Sequence, residues 1–137
     1  MSRQGNFENV EIVKRAVQAW NERDETAMGA LFHPDFEYHG LDEWPGLHRV
    51  FRGREEALPR QSELAAELDD FRSEPVEMID AGARIVCILE LTGIGKQSRI
   101  PVRFTEVSVV TIRDRRIVRI DVCDTRERAL ELSGLST

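Results

Sequence analysis

The sequence predicts an α+β domain in which an N-terminal helical hairpin and a third helix lie over the concave face of a curved antiparallel sheet. Three observations carry this. Apolar residues recur at intervals of three and four near the N-terminus and again around residues 54–70, the period of a helix buried on one side. After Phe71 the period changes to two and stays there as far as Cys123. The breaks inside that second region are long enough only for hairpins, so strands grouped after helices form an antiparallel meander rather than βαβ units. A chain of 137 residues buries one core and not two, so a single domain over 1–137 is expected.

Each element has its own signal. In residues 9–23, Val10, Val13, Val17 and Trp20 fall on one stripe of a first helix. Asp24 then caps a short second helix over 25–32, which stops because Pro34 disfavours helical geometry at His33. Residues 35–40 alternate as a short strand, with Phe36 and Tyr38 on one side and His39 on the other. The stretch 41–53 reads as a loop with a Pro45-Gly46 turn. Helix 3 covers roughly 54–70, with Leu58, Gln61, Leu64, Ala65, Leu68 and Phe71 on one face; Pro59 removes a hydrogen bond inside it, which predicts a regular part that begins there. Strands follow at 73–79, Arg84–Gly95, 100–113 and Arg116–Cys123. A last helix over 125–133 has Asp124 as its cap, Glu127 three residues on and Gly134 just beyond its end.

The two long strands are apolar on both faces: Val107 and Val109 alternate with Val110 and Ile112, and Val86 and Ile88 with Ile85, Cys87 and Leu89. An antiparallel sheet wetted on one side alternates cleanly, so a second copy of the chain is expected over the outer face, giving a homodimer.

Composition narrows the function. With 19 basic and 25 acidic residues the net charge is −6, which repels phosphate backbones and anionic lipid, so neither nucleic acid nor membrane is an expected partner. The N-terminal residues hold no apolar run, and no stretch approaches a membrane span. Cys87 and Cys123 lie inside apolar strands without CxxC spacing, as free thiols in a reducing compartment would, and a cytoplasmic location is expected. His33, His39 and His48 match no metal-binding spacing, and no phosphate-binding or dinucleotide glycine motif is present. No metal and no cofactor is expected.

The segments VEIVKRAVQAWNERDETAMGALFHPDFEYHG, FRGREEA, VEMIDAGARIVCILELTGIG and VVTIRDRRIVRIDVCDTRERALELSGL, in this order and spacing, resemble the SnoaL-like (ketosteroid isomerase-like) group of the nuclear transport factor 2-like superfamily. The resemblance implies a cone-shaped, cystatin-like sheet with a pocket between the helices and its concave face. It also implies dimers formed through the convex face. The group contains isomerases, dehydratases, epoxide hydrolases, cyclases and noncatalytic binding domains, so the fold does not choose among them. Its ketosteroid isomerases use a carboxylate base, a tyrosine and a protonated acid; the matching positions here are Gly40, Ala16 and Ser108, of which only Ser108 can donate a hydrogen bond. Its epoxide hydrolases need paired aspartates bridged by an arginine, and only Asp121, or Val122 if a bulge intervenes, falls near the required place.

The same resemblance puts Phe104, Glu106, Ser108, Val110 and Ile112 on the inner face of one strand. Glu106 is then an acid among apolar residues, a usable general acid or base; the alternative is a rim position in a salt bridge with an arginine. Tyr38 is the second catalytic candidate, through its hydroxyl, or else a core residue. Trp20, Trp44, Ser108 and His48 are candidate substrate contacts, Trp44 and His48 from the loop after the first strand. Asp121 alternates with Arg119, opposite Val118, Ile120 and Val122, and is expected on the convex side. The expected activity is small-molecule binding with cofactor-free isomerase, cyclase or dehydratase chemistry on an apolar cyclic substrate. The alternative is a noncatalytic ligand-binding or dimerisation module.

Overall fold

A computed structural model describes residues 3–40 and 50–135, with side chains for 8–40, 50–63 and 66–135. The chain runs α1 (Arg3–Glu22), α2 (Glu25–Leu31), β1 (Phe32–His39), β2 (Val50–Arg52), α3 (Arg54–Ala65), β3 (Leu68–Asp80), β4 (Arg84–Gly95), β5 (Pro101–Arg113), β6 (Arg116–Cys123) and α4 (Arg126–Leu132). The six strands form one curved, unclosed sheet in the order β2-β1-β6-β5-β4-β3. The meander from β3 to β6 is antiparallel as expected, but β1 joins β6 in parallel, because everything between them forms one long crossover.

The main core lies between the helices and the concave face. Val13, Ala16 and Ala19 of α1 and Met28 of α2 pack against Phe36, Ile85, Cys87, Val110, Ile112 and Ile117. Phe32 and Phe36 meet edge to face at 4.8 Å. Asn21 fixes α1 to the sheet edge, since its amide donates to the Ser73 carbonyl and its carbonyl accepts from the Ser73 N–H, both at 2.8 Å. Arg54 joins the start of α3 to the end of α2 by donating to the carbonyls of Gly29 at 2.9 Å and Phe32 at 3.2 Å.

Several expectations are corrected. β1 begins at Phe32, so Pro34 sits inside a strand and α2 ends at Leu31. β2, read as loop, pairs with β1. Helix α3 starts at Arg54 with Ala57 already bonded to the Gly53 carbonyl at 2.8 Å, and Pro59 is tolerated because it lies on the exposed side, where water reaches the freed carbonyl. It also stops earlier: Leu68 and Phe71 belong to β3, whose bulge after Asp69 carries Asp70 at φ +53. The Leu64 and Ala65 side chains lie outside the described residues. Thr125, not Asp124, caps α4 by accepting from the Arg128 N–H at 3.0 Å. Asp24 caps α2 as expected, accepting from Ala27 at 3.0 Å, and Gly134 has the left-handed φ of +78 that ends α4.

Helix α4 packs on the convex face. Its Ala129 and Leu130 cover Val86, Val109 and Cys123, so part of the apolar outer surface of β4 and β5 is covered by the chain itself.

Candidate functional site

Cross-strand registers show which side chains share the inner face. Glu106 of β5 lies opposite Leu89, and Ser108 opposite Cys87 on β4 and Val122 on β6. Val110 pairs with Ile85 and Ile120, and Ile120 with Tyr38 on β1. The strand alternation expected for β5 therefore holds, and Glu106 points to the side that the helices cover. Burial pushes its carboxyl up to about 7, and desolvation is the cause. Among the described residues nothing forms a hydrogen bond or ion pair with it, so the salt bridge at the rim is not found there. The side chain nonetheless retains some accessible surface.

Its neighbours are Cys87 and Ser108. The Cys87 thiol is pushed up to about 12, by burial first and by the Glu106 charge second, which places the two groups within electrostatic reach and leaves the thiol protonated and unreactive. Ser108 is 3% exposed, and no hydrogen bond to its hydroxyl occurs among the described residues.

Tyr38 shares the face but not the spot. It lies two strand spacings and four residues from Glu106, about 16 Å between Cα atoms, so the two meet one ligand only if that ligand spans the gap. Its ring stacks on Phe51 of β2 at 6.1 Å and 16°. Phe51 is not legible as a site neighbour in the sequence, because the three residues of β2 are too few to show a strand period. Trp20 is half-buried and packs against the same core as Tyr38. Trp44 and His48 lie outside the described residues. On α3, the Gln61 side-chain oxygen is buried without a hydrogen-bond partner.

The positions matched to the isomerase residues behave as their identities dictate: Ala16 is core, Gly40 follows β1, and Ser108 faces inward. Val122 faces inward with Ser108, whereas Asp121 points outward and binds Arg119 at 2.9 Å. A bulge in β6 breaks the expected alternation, because Thr111 pairs with Arg119 and Ile112 with Ile117. Val118 consequently turns to the convex side, away from Ile120.

That convex side holds an open groove of about 850 Å³, lined by Arg52, Glu37, Arg119, Asp121, Val109 and Thr111 among others. Its charges are paired: Glu37 binds His39 at 2.8 Å, which holds the carboxyl below the usual range, and lies 3.8 Å from Arg52. His39 is thus on the opposite face from Tyr38, as expected.

The family model for the SnoaL-like domain matches residues 13–120. The chain belongs to the SnoaL-like domain family. Solved structures agree on the fold of this SnoaL-like domain. An NTF2-like protein from Burkholderia xenovorans LB400 is 28% identical, with 100% of this chain and 99% of that one covered and a TM-score of 0.72. TerC, co-crystallised with polyporic acid, is 20% identical over 93% and 98% of the two chains, with a TM-score of 0.74. A ketosteroid isomerase-like protein from Catenulispora acidiphila DSM 44928, in complex with trimethylamine, is 21% identical over 91% and 93%, with a TM-score of 0.71. Among curated proteins none matches. No helix among the described residues is long and apolar enough to cross a membrane.

Proposed function

We propose that this SnoaL-like domain binds a small, largely apolar cyclic molecule against the inner face of its sheet and moves a proton on it without a cofactor, as an isomerase, cyclase or dehydratase does. The observation that carries the reading is Glu106, a largely buried carboxyl, unpaired among the described residues, and poised at about 7. A group at that value is present in both protonation states near neutrality and serves equally as acid and as base. Ser108, two residues along the same face, is the hydrogen-bond donor beside it. Tyr38 and Trp20 bound the far end, and Trp44 and His48 complete the set of proposed contacts. TerC with polyporic acid and the Catenulispora protein with trimethylamine support a ligand site in this fold without fixing its occupant.

The test is deuterium exchange from D2O at the carbon next to the carbonyl of small cyclic ketones. Catalysed exchange with an apparent pKa near 7, lowered about 10²–10⁴-fold by Glu106→Gln, is the expected result. Equal rates for both proteins would eliminate Glu106 as the proton carrier. The second reading, a noncatalytic binding or dimerisation module, is favoured by Gly40 and Ala16, which lack the groups that the resemblance places there. A second copy over the convex groove belongs to either reading, and its alternating Arg52, Glu37 and Arg119 suit a self-complementary contact. Light scattering at micromolar concentration should then give about twice 15.7 kDa, and a mass near 15.7 kDa would refute the homodimer.

A further inference from the structure

Among the described residues Glu106 has no basic side chain beside it on the inner face. Leu89, Leu91, Cys87, Val110, Ile120 and Phe51 surround the line from Glu106 to Tyr38 with apolar surface. The described basic side chains lie elsewhere. Arg52, Arg84, Arg113 and Arg119 line the convex groove, and Arg103 faces Glu90. Arg54 is spent on two carbonyls at the start of α3, and Arg60, more than half exposed beside Glu63, lies over the Phe51 ring at 6.0 Å, at the far end of the line from Glu106. None of them contributes to the electrostatic environment of Glu106, and Cys87 is the titratable neighbour that senses it.

An anionic ligand placed here would meet an acid and no counterion, a costly burial. A neutral acceptor would gain a single uncharged hydrogen bond, of order 1 kcal/mol. A cation gains more, because a charge-assisted hydrogen bond is roughly twice as strong and the fold has already removed much of the carboxyl's surface from water before the ligand arrives. Phe104, half-exposed and two residues from Glu106 on the same face, offers a π face to the same charge; further along, the Phe51 ring stacked on Tyr38 is already faced by Arg60 at 6.0 Å.

We propose that the ligand of the inner face is a cationic amine on an apolar frame, its positive nitrogen held by the Glu106 carboxylate. This rests on the inner-face reading given above and narrows its substrate class. Phenyltrimethylammonium, whose charge does not titrate, and tert-butylbenzene, its uncharged isostere, separate charge from shape in NMR titrations of the methyl signals.

At pH 8 the cation should bind at least about 10-fold tighter than the isostere through Coulomb attraction to the carboxylate and the ring faces alone, since a quaternary nitrogen has no N–H to donate. Between pH 8 and pH 5.5 its affinity should fall several-fold, by about 30-fold at most, as Glu106 takes up a proton, while that of the isostere stays level. In Glu106→Gln, which keeps the side-chain shape, both the preference and the pH dependence should vanish. Equal binding of cation and isostere to the wild-type protein at pH 8 would overturn the amine assignment. If cyclohexanone then binds in a Glu106-dependent way that weakens as pH rises, the acid–base site survives without it. Indifference of all three probes to Glu106→Gln would overturn the site as well.

Discussion

Replacing Glu106 by Gln should make this protein more stable at neutral pH. In the unfolded chain the carboxyl titrates near its ordinary value of 4.5, and in the folded chain burial raises it to about 7. Between these values the unfolded state has released the proton and the folded state still holds it, so the unfolded state binds fewer protons and stability falls as pH rises. The loss contributed by this one group is about 1 kcal/mol at pH 5.5 and about 3 kcal/mol at pH 7, and it levels off above that. These are upper values, since water reaching the remaining accessible surface of the side chain softens the penalty. Other carboxylates titrate over the same range, so the quantity to measure is the difference in urea-unfolding free energy between Glu106→Gln and wild type at each pH. The difference should be nearly constant below pH 4 and rise by up to about 3 kcal/mol in favour of the variant by pH 8. A difference that stays flat from pH 4 to pH 8 would show that Glu106 is fully hydrated, and the acid–base and amine-binding readings would fall with it.

Two further substitutions test how the site is held. Asn21→Ala should cost about 1–3 kcal/mol in urea unfolding, because it leaves the buried N–H and C=O of Ser73 without their partner between α1 and β3; a loss below about 0.5 kcal/mol would show that water replaces the amide. Thr125→Ala should cost about 1 kcal/mol through the lost cap of α4, whereas Asp124→Ala should change stability by less than about 0.5 kcal/mol, and the reverse order would return the cap to Asp124.

The elements that the sequence predicted well are those whose side chains alternate between core and water over several turns or residues. Val10, Val13 and Trp20 mark α1 because each packs into the core, and β6 shows its bounds because charged Arg113–Arg116 surround its start. The misreadings occur where local chemistry is decided by a partner far along the chain. Residues Val50–Arg52 are too few to show a period, and they become a strand only because β1 offers a free edge. Leu68 and Phe71 keep a helical spacing of three, but the bulge at Asp70 supplies that spacing within a strand. The bulge at Val118 has the same origin and moves one valine to the other side of the sheet. In the turn between β5 and β6, Asp114 and Arg115 both adopt positive φ, +54 and +63, as a two-residue hairpin of this hand requires, without a glycine to mark it.

The site was legible to the extent that strand alternation is rigid. Once Val110 and Ile112 are placed against α1, Glu106 has to face the same way, whatever the energy of doing so. Alternation cannot show whether a partner waits there, since that depends on residues from β4, β6 and the helices. The described residues supply apolar groups, a thiol that stays protonated, and a serine hydroxyl, none of which stabilises the charged carboxylate. On the convex face the acids Glu37 and Asp121 are met by His39, Arg52 and Arg119. The contrast matters because an acid paired within the fold is explained by the fold, whereas Glu106 costs stability that a valine or threonine on the same strand would not. Nothing among the described residues offsets that cost, and a positively charged ligand is the partner proposed for this carboxyl.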